Sequence, residues 1–489
     1  MTRLLLGPFN RVEGDLEIAL DIDGDAVTSA RVMTPLYRGF EQILVGRPSA
    51  DALAIAPRIC GICSVSQSMA AASALRALYG VTPTRNGVLA ANLAHAAENL
   101  ADHLTHFYIF FMPDFARAQY SGQEWHAAAE ARFKAMKGDA APAVLAARKR
   151  LLEIMGILAG KWPHSLAFQP GGTTCAVDLG RKTQLISILR DFRRFLETVV
   201  FAAPLEAVLA LETRQALERF CAGEGAAGDL AAFWRIAHSL DLAQLGRIAH
   251  PLMSFGAYRE EAGPLFASGL FDPANGEFAP IDATLIREDS SHAFLRDGPE
   301  EPARARTEPD VDKPGAYSFA RAPRLGSGQR FGAGPAEVGA IARQAVHGRK
   351  LIRALIAEHG GSNVFARVIA RLVELAAVTT AAESWALALA LNEPFCAPSP
   401  VEGEGEGVGL VEAARGALGH WISARQGKIR NYQIIAPTTW NFSPRDANGE
   451  PGPVEQALVG TALSGEGSRA AAVQHVIRSF DPCMVCTAH

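Results

Sequence analysis

Hydrophobic and polar residues repeat with two different periods along the chain. Residues 4–35 alternate apolar and polar side chains and turn at Asp23-Gly24, which predicts strands joined by a hairpin. From about Ser49 to Ser268 the apolar residues recur with helical spacing, which predicts a helix-rich middle. Within it, residues 89–112 are apolar nearly all round, as is typical of a buried helix.

The second half of the chain changes pattern several times. Residues from about 271 to 334 are rich in glycine, proline and charge, which predicts irregular surface structure. Helical spacing returns in four later segments, residues 336–360, 362–392, 451–465 and 469–480. The Gly/Glu run in residues 399–409 predicts a loop, and residues 418–440 predict a hairpin. The sequence therefore predicts an α+β fold, mainly helical, with small β elements near the N- and C-terminal parts.

Composition excludes several classes of protein. The 489 residues carry a net charge of −4, with 49% apolar and 20% charged residues. Such a chain can bury a large core, and it has no run of Lys and Arg of the kind that binds nucleic acid. No stretch of about 18 apolar residues is free of charge, so no membrane span is predicted. The apolar run at the N-terminus is too short for a signal peptide, which predicts a cytoplasmic protein.

The cysteines are few, and four of them form two C-x-x-C pairs. One pair is Cys60 and Cys63, and the other is Cys483 and Cys486, close to the end of the chain. An odd cysteine count in a large chain argues against a disulfide framework. The three single cysteines are predicted to be small buried apolar residues: Cys175, Cys221 and Cys396.

The first pair precedes a predicted helix. Ser64 is a candidate cap for a helix that runs to about Tyr79 and stops at Gly80. Cys63 then lies at the helix N-terminus, where the dipole and free amides favour a thiolate, and Arg58 adds positive charge.

Four thiolates favour a soft metal, but spacing alone leaves its identity open. Structural zinc is the commonest use of two C-x-x-C pairs. Zinc modules usually keep their two halves within a few tens of residues, whereas 420 residues separate Cys63 from Cys483. A redox or catalytic metal and unrelated thiols are the alternatives.

Short segments around these cysteines occur in this order: RVEG, RGFE, RICGIC, DHLTHFY, KWPHS…PGG, EVGAIAR, EAARGALGHW, PTTWN and DPCMVCTAH. Together they resemble the large subunit of nickel–iron hydrogenases, from about Gly7 to His489. The resemblance implies a single domain over residues 1–489 with that family's fold around a central helical bundle. It places the metal site in residues 58–67 and 481–489. The implied reaction is heterolytic cleavage of H2 to protons and electrons.

The resemblance also implies the cofactor and its partners. Cys60 and Cys483 would be terminal ligands of nickel, while Cys63 and Cys486 would bridge nickel to an iron that carries carbon monoxide and cyanide. Maturation proteins would insert these metals. The chain has no spare cysteine cluster for iron–sulfur centres, so a heterodimer with an iron–sulfur small subunit is expected.

Matching the motifs gives roles to further residues. Arg415 would donate to a cyanide or a bound ligand, held in place by Asp102 and Asp481. Thr438 would donate to the other cyanide. Two more residues are expected to contact the cofactor, Pro437 and Leu418. From the residues alone, Arg415 could instead be a surface charge. Asp102 could instead belong to a structural polar network on the helix face that carries His95, Asn99 and His106.

A proton route and a second metal site are implied in the same way. Glu13 of RVEG matches the glutamate that takes protons from Cys483; without the resemblance it would be predicted to be a surface strand glutamate. A magnesium site would be formed by Glu41, the carbonyl of Ile434 and the ring of His489. Two bulky residues, Ile62 and Phe110, match the narrowest point of the gas path, where ordinary core packing is the alternative.

Four residues depart from the family pattern. Histidine is usual at the positions of Gln67 and Asp15. Proline is usual at the position of Ala414, and lysine at that of Arg321. Gln67 in CSVSQ resembles the regulatory, hydrogen-sensing subclass, which would turn over slowly and signal to a histidine kinase. Most large subunits are made with an extension after the terminal histidine, which is cut off once the metals are in place. If the chain is synthesised with its end at His489, it has no such extension, as is expected of the regulatory subclass. The alternatives are an energy-conserving uptake hydrogenase and, in another class, a structural zinc protein or a metal-free relative in a respiratory complex.

Overall fold

The computed structural model describes residues 2–400, 402–463 and 469–489. Its helices are α1 Phe40–Leu44, α2 Ala52–Ile55, α3 Ser64–Tyr79, α4 Arg85–Thr105, α5 His126–Phe133, α6 Ala140–Ala159, α7 Leu179–Phe195, α8 Leu205–Leu209, α9 Arg214–Ala222, α10 Asp229–Ser239, α11 Ala340–His347, α12 Lys350–His359, α13 Val364–Ala388, α14 Pro437–Asn441, α15 Pro453–Leu458 and α16 Arg469–Ser479. Its strands are β1 Thr2–Leu6, β2 Glu17–Asp23, β3 Ala26–Met33, β4 Phe168–Gln169, β5 Gly172–Thr173, β6 Leu252–Glu260, β7 Gly263–Phe271, β8 Phe278–Ala279, β9 Ile286–Asp289, β10 Ala322–Leu325, β11 Gly405–Ala413, β12 Gly416–Arg425 and β13 Lys428–Ile435.

The N-terminal strands form an antiparallel sheet in the order β1-β2-β3. Its hairpin turns at Gly24, whose φ of +60° is the left-handed conformation that glycine adopts without strain. Alternate residues such as Ile18 and Leu20 are fully buried, as the period of two requires. The predicted strands and hairpin are confirmed.

The central bundle packs α4 and α13 against α6 and α7 around one large apolar core. α13 begins where the Asn363 side chain accepts from the backbone N–H of Ala366 at 2.9 Å. α4 continues past Thr105 into a π-helical turn over His106–Phe111. The mainly helical α+β class is confirmed, and none of the described helices is long and apolar enough to span a membrane.

The C-terminal sheet, in the order β11-β12-β13, lies against α3. The hairpin predicted in residues 418–440 is confirmed as β12 and β13, but the loop predicted in residues 399–409 is wrong beyond Gly405, where β11 begins. Its glycines allow a close approach to the helix. A Cβ at Gly407 would lie 2.2 Å from the carbonyl oxygen of Ala74, and one at Gly409 would lie 2.1 Å from that of Ala70. The glycines that suggested a loop in the sequence instead allow strand β11 to pack closely against helix α3.

Two other predictions need correction. Residues 252–268 lie in the hairpin of β6 and β7, not in a helix; β6 is buried over most of its length and therefore lacks the alternation of a half-exposed strand. The segment 271–334 is predicted to be irregular surface structure, but it contains the short strands β8, β9 and β10 and is not all surface, since Glu288, Arg321 and Arg324 are buried. Of the predicted closing helices, α16 matches, α15 ends at Leu458, and residues 464–465 lie outside the described part of the chain.

Candidate metal centre

The two C-x-x-C pairs meet although 420 residues separate them. The Sγ atoms of Cys60 and Cys483 are 3.5 Å apart, those of Cys63 and Cys486 are 3.2 Å apart, and those of Cys483 and Cys486 are 3.1 Å apart. All four side chains are buried. The last residues of the chain are therefore one half of a closed cluster of sulfur atoms.

Local structure holds each pair in place. A 3₁₀ turn over Ala56–Ile59 ends at Cys60, whose own backbone is extended. Cys63 directly precedes α3. On the other side, the backbone at Glu13 pairs with that at Cys483, and the N–H of Met484 donates to the carbonyl of Glu13 at 2.7 Å. The N-terminal RVEG segment thus holds the C-terminal cysteines in place.

The electrostatics of this cluster fit a bound cation. Hydrogen bonds from the Cys483 and Cys486 thiols lower the pKa of the Cys60 thiol well below its usual range. Burial raises the pKa of the Cys486 thiol, since a second charge would lie in an apolar region beside the first. Four neighbouring sulfurs become four thiolates only with positive charge among them, and a soft metal ion supplies that charge.

Glu98, which the sequence reasoning overlooked, caps α3. The N-cap position is Cys63 rather than Ser64. The first amides are not free, because the backbone N–H groups of Val65 and Ser66 donate to the Glu98 carboxylate at 2.8 and 2.9 Å. The predicted stabilisation of Cys63 by free amides is therefore wrong.

The Glu98 carboxylate has two further donors. The Ser66 hydroxyl and the Trp162 indole N–H donate at 2.9 and 3.1 Å. Burial raises the pKa of Glu98 to about 7, while these four donors favour its ionised form. A glutamate within a largely apolar helical segment was the signal in the sequence, because a buried carboxylate needs partners.

Arg415 is buried beside the sulfur cluster with two carboxylates. Its Nη2 donates to Asp102 at 3.0 Å and to Asp481 at 3.3 Å, and its Nε donates to the Asp481 carbonyl at 2.8 Å. Burial disfavours the charge, but Asp102 and Asp481 hold the pKa of Arg415 well above its usual value. The interpretation of Arg415 as a surface charge is wrong, and the three residues lie together.

The polar residues that share the helix face of Asp102 form hydrogen bonds with groups other than Arg415. His95 contacts the Ser66 hydroxyl at 3.2 Å, the Asn99 amide donates to the Tyr258 hydroxyl at 2.8 Å, and His106 Nε2 donates to the Arg478 carbonyl at 2.6 Å. These three belong to the structural polar network that the sequence left open for this face.

The PTTWN segment lies on the C-terminal side of the cluster. The Thr438 hydroxyl oxygen accepts from the N–H of Cys483 at 3.1 Å, which leaves its own proton for another acceptor. Pro437, the first residue of α14, is buried, and Leu418 of β12 belongs to the same apolar cluster as the four cysteines.

Glu13 and Ile62 lie at the edge of this region. Glu13 is half-buried, and burial together with the Cys60 charge raises its pKa. Ile62 is partly buried against the cysteine cluster. Phe110 is partly exposed in the π-helical turn, and its carbonyl accepts from Arg11 Nη1 at 3.2 Å. Of the single cysteines, Cys221 is buried as predicted, but Cys175 and Cys396 are partly exposed.

The expected magnesium ligands converge at the C-terminal residue. His489 Nε2 lies 3.2 Å from Glu41 Oε1 and 3.0 Å from the Ile434 carbonyl oxygen. An octahedral ion with bonds of ~2.1 Å places adjacent donors about 3 Å apart. The other Glu41 oxygen, Oε2, is buried without a partner among the described residues. Burial lowers the pKa of His489, but Glu41 and the Ile434 carbonyl outweigh that effect and raise it.

The surroundings of these three residues also suit a hydrated cation. A cavity of about 20 Å³ adjoins them, room for about one water molecule. Arg321, which stands where lysine is usual, lies at this cavity with its guanidinium 3.4 Å from Glu288. The donor set therefore fits a hard divalent cation.

Comparison with known proteins agrees with this geometry. The family model described as nickel-dependent hydrogenase matches residues 38–137 and 114–489. The periplasmic [NiFeSe] hydrogenase large subunit of Desulfomicrobium baculatum is 28% identical, over all of this chain and 95% of that protein. The uptake hydrogenase large subunit of Azotobacter chroococcum is 26% identical, over all of this chain and 95% of that protein.

Solved structures give the same result. The structure of H2-activated [NiFeSe] hydrogenase from Dm. baculatum superposes with a TM-score of 0.84 at 27% identity, covering all of both chains. That of the reduced Ni-Fe-Se hydrogenase from D. vulgaris Hildenborough gives a TM-score of 0.83 at 27% identity, again over all of both chains. With four buried cysteines converging as a soft-metal site, this chain belongs to the nickel-dependent hydrogenase family, as a catalytic large subunit.

Proposed function

We propose that this chain, paired with an iron–sulfur small subunit, cleaves H2 heterolytically at a nickel–iron centre. The observation that carries the proposal is the cluster of four buried sulfurs 3.1–3.5 Å apart with Arg415 fixed beside it. Cys60 and Cys483 would hold nickel, and Cys63 and Cys486 would bridge it to an iron bearing carbon monoxide and cyanide. The bound centre would polarise H2 and accept its electrons.

The chain's own residues would handle the proton. Cys483 accepts it at Sγ, helped by the positive charge of Arg415. Glu13 takes it onward, because its backbone runs beside Cys483 and its raised pKa makes the carboxylate a better proton acceptor. Arg415 and Thr438 would donate to the cyanide ligands, with Asp102 and Asp481 fixing the direction of the guanidinium.

The biological role proposed is hydrogen sensing in the cytoplasm. The enzyme would turn over slowly, and its redox or conformational state would be transmitted to a histidine kinase. Gln67, one helical turn after Cys63, supports this role because the segment CSVSQ that it ends resembles the regulatory, hydrogen-sensing subclass. An energy-conserving uptake role is the second candidate, favoured by the names of the A. chroococcum and other relatives. Rapid H2 oxidation with added electron acceptors would favour uptake, and slow oxidation with every acceptor would favour sensing.

Metal analysis and infrared spectroscopy of the purified complex test the catalytic proposal. Nickel equimolar with the chain and carbon monoxide and cyanide stretching bands are expected. The matched variants are Cys483→Ser, which should lose nickel, and Cys221→Ser, which removes a buried thiol outside the cluster and should keep it. Zinc in place of nickel, with no such bands, would establish the structural zinc protein instead.

A further inference from the structure

One buried arginine, Arg343 of α11, uses all five of its N–H groups as donors. Nε and Nη2 donate to the two oxygens of Glu374 at 3.2 and 2.7 Å, and Nη1 donates to Glu412 at 2.8 Å. Nη1 and Nη2 also donate to the backbone carbonyls of Ala413 and Ala414 at 2.8 and 2.9 Å. Arg343 ends the EVGAIAR segment, and the reaction proposed above gives it no role.

The two carbonyls that Arg343 binds directly precede Arg415. The pairing of β11 with β12 ends at Ala413 and Gly416, so Ala414 and Arg415 form a two-residue loop between the strands. A buried backbone carbonyl needs a donor, and a loop residue has no neighbouring strand to supply one. Ala414 is buried, and Arg343 supplies that donor. Arg343 therefore holds the backbone that carries Arg415.

The start of α11 lies close to the same loop. Gly416 has a φ of +131°, and a Cβ there would lie only 2.6 Å from the backbone nitrogen of Gly339, the residue before α11. The loop and the helix thus meet backbone to backbone, with no side chain between them. This close approach fixes the distance from which Arg343 reaches the two carbonyls.

Ion pairs keep the Arg343 guanidinium charged and in one orientation. Burial disfavours its charge, but Glu374 and Glu412 hold the pKa of Arg343 above its usual value. Burial would raise the pKa of Glu374, but Arg343 and the His103 ring lower it to about 2. Glu374 is therefore ionised at neutral pH, and its two oxygens bind the planar guanidinium as a fork, which fixes the direction of the remaining N–H groups.

We propose that Arg343 is a positioning residue that sets the direction of the Arg415 guanidinium by holding the carbonyls of Ala413 and Ala414. The inference rests on the proposed nickel–iron site, where Arg415 assists proton transfer to Cys483 and donates to a cyanide. Arg343 acts through the loop backbone, and it contacts neither the cofactor nor the substrate.

The Arg415 residue is held at both ends. Asp102 and Asp481 accept from its guanidinium, and Arg343 holds the loop backbone from which the side chain extends. Hydrogen bonds weaken steeply as a donor turns away from its acceptor. A small tilt of the loop would therefore change the groups to which Arg415 donates, even with both carboxylates in place.

Arg343→Lys tests the inference in the purified complex with its small subunit. Lysine keeps the positive charge, but its single nitrogen with three donors cannot serve two carbonyls and two carboxylates at once. The cyanide stretching bands in the infrared spectrum should move, because the donor from Arg415 changes direction. Hydrogen–deuterium exchange should fall roughly 10- to 100-fold, as is typical when a group that acts on the reacting atoms is misplaced by about 1 Å.

A double variant shows whether the effect passes through Arg415. Once Arg415 is replaced in Arg415→Lys, adding Arg343→Lys should lower exchange by less than about twofold and should not move the bands further. Arg324→Lys is the matched control, because Arg324 is also a buried arginine with five hydrogen bonds, all to groups outside the loop. Its bands and its exchange should equal the parent's.

Three outcomes would overturn the inference: an Arg343→Lys complex with the bands and exchange of the parent, an equal fall in exchange with and without Arg415, and an equal band shift in Arg324→Lys. If Arg343→Lys carries no nickel, Glu374→Gln decides, because it keeps Arg343 but sets an amide NH2 against one of its N–H groups; bands at the parent position would then refute the proposal. A parent complex with neither nickel nor bands would refute the proposed function itself.

Discussion

At the scale of single residues, the centre depends on charges that are buried only because they are paired. Arg415 would be unstable in an apolar interior without Asp102 and Asp481, both within 3.3 Å of its Nη2. Removing one partner of such a pair costs about 3–5 kcal/mol, because the remaining charge stays buried. The same arrangement makes the guanidinium rigid, as a group that donates to ligands must be.

Glu13→Gln tests the proton route at this scale. The amide keeps the shape of the side chain but does not shuttle protons as a carboxylate does, so hydrogen–deuterium exchange should fall roughly 10²- to 10⁴-fold. The infrared bands should persist, because the metal ligands are unchanged. Asp15→Asn, an exposed carboxylate two residues away, should exchange like the parent. Parent-like exchange in Glu13→Gln would refute the assignment.

Ile62→Val combined with Phe110→Leu tests the proposed gas constriction. Both changes remove bulk from a packed path that would admit H2 and slow the larger O2. The double variant should lose more activity than the parent after exposure to air, with similar H2 turnover before exposure. Phe195→Leu, which shrinks a partly buried ring in α7, is the control. Equal survival in air would place any oxygen tolerance elsewhere.

At the scale of elements, α3 is the support of the centre. Glu98 from α4 caps its N-terminus, and β11 lies against its middle through Gly407 and Gly409. These contacts fix where α3 begins, and therefore where Cys63 and Gln67 are placed. Precise placement by rigid elements is what a metal site with four ligands requires.

Gly409→Ala tests the contact of β11 with α3. The new methyl group would meet the backbone of Ala70 at 2.1 Å, and backbone yields less easily than a side chain. Stability should fall by about 3 kcal/mol, with loss of nickel as α3 shifts, measured by thermal unfolding and metal analysis.

Gly156→Ala is the matched control. Gly156 lies within α6 and is exposed, and apart from its two chain neighbours and the nearby backbone of its own helix no atom lies within 4 Å of the place that the new methyl group would take. This change should therefore raise stability by roughly 0.5–1 kcal/mol, because alanine loses less backbone entropy than glycine in a helix. An unfolding temperature and a nickel content of Gly409→Ala equal to the parent's would show that the close approach is unimportant.

At the scale of the whole molecule, the C-terminus is an interior element. His489 is buried against α1 and β13 through Glu41 and Ile434, and residues 482–486 lie beside the N-terminal RVEG segment. The C-terminal residues thus join α1, β13 and the RVEG segment, so binding at Glu41, Ile434 and His489 stabilises contacts between distant parts of the sequence.

Mg²⁺ should therefore stabilise the folded complex. At a hundredfold excess over Kd the gain is about 2.7 kcal/mol, seen as a higher unfolding temperature. Glu41→Gln should abolish the gain, because it removes the charged ligand. Glu277→Gln, an exposed carboxylate elsewhere, should respond like the parent. A response of Glu41→Gln as large as the parent's would exclude this site.

The sequence by itself determined the features that depend on near neighbours. The end of α3 at Gly80, the start of α13 at Asn363 and the hairpin at Gly24 follow from periodicity, capping and turn chemistry within a few residues. The cysteine spacing likewise indicated a soft-metal site, and the ordered motifs indicated the family.

Only the tertiary structure decided what distant elements do to one another. Folding brings together cysteines 420 residues apart, and it places part of the Gly/Glu run in strand β11. It also places Glu98 where its carboxylate accepts from two backbone N–H groups at the start of α3. It also joined Gln67 to His420 and Tyr432, 353 residues and more away along the chain. The physical reason is that burial and hydrogen-bond partners are set by which elements pack together, and local periodicity carries no record of that choice.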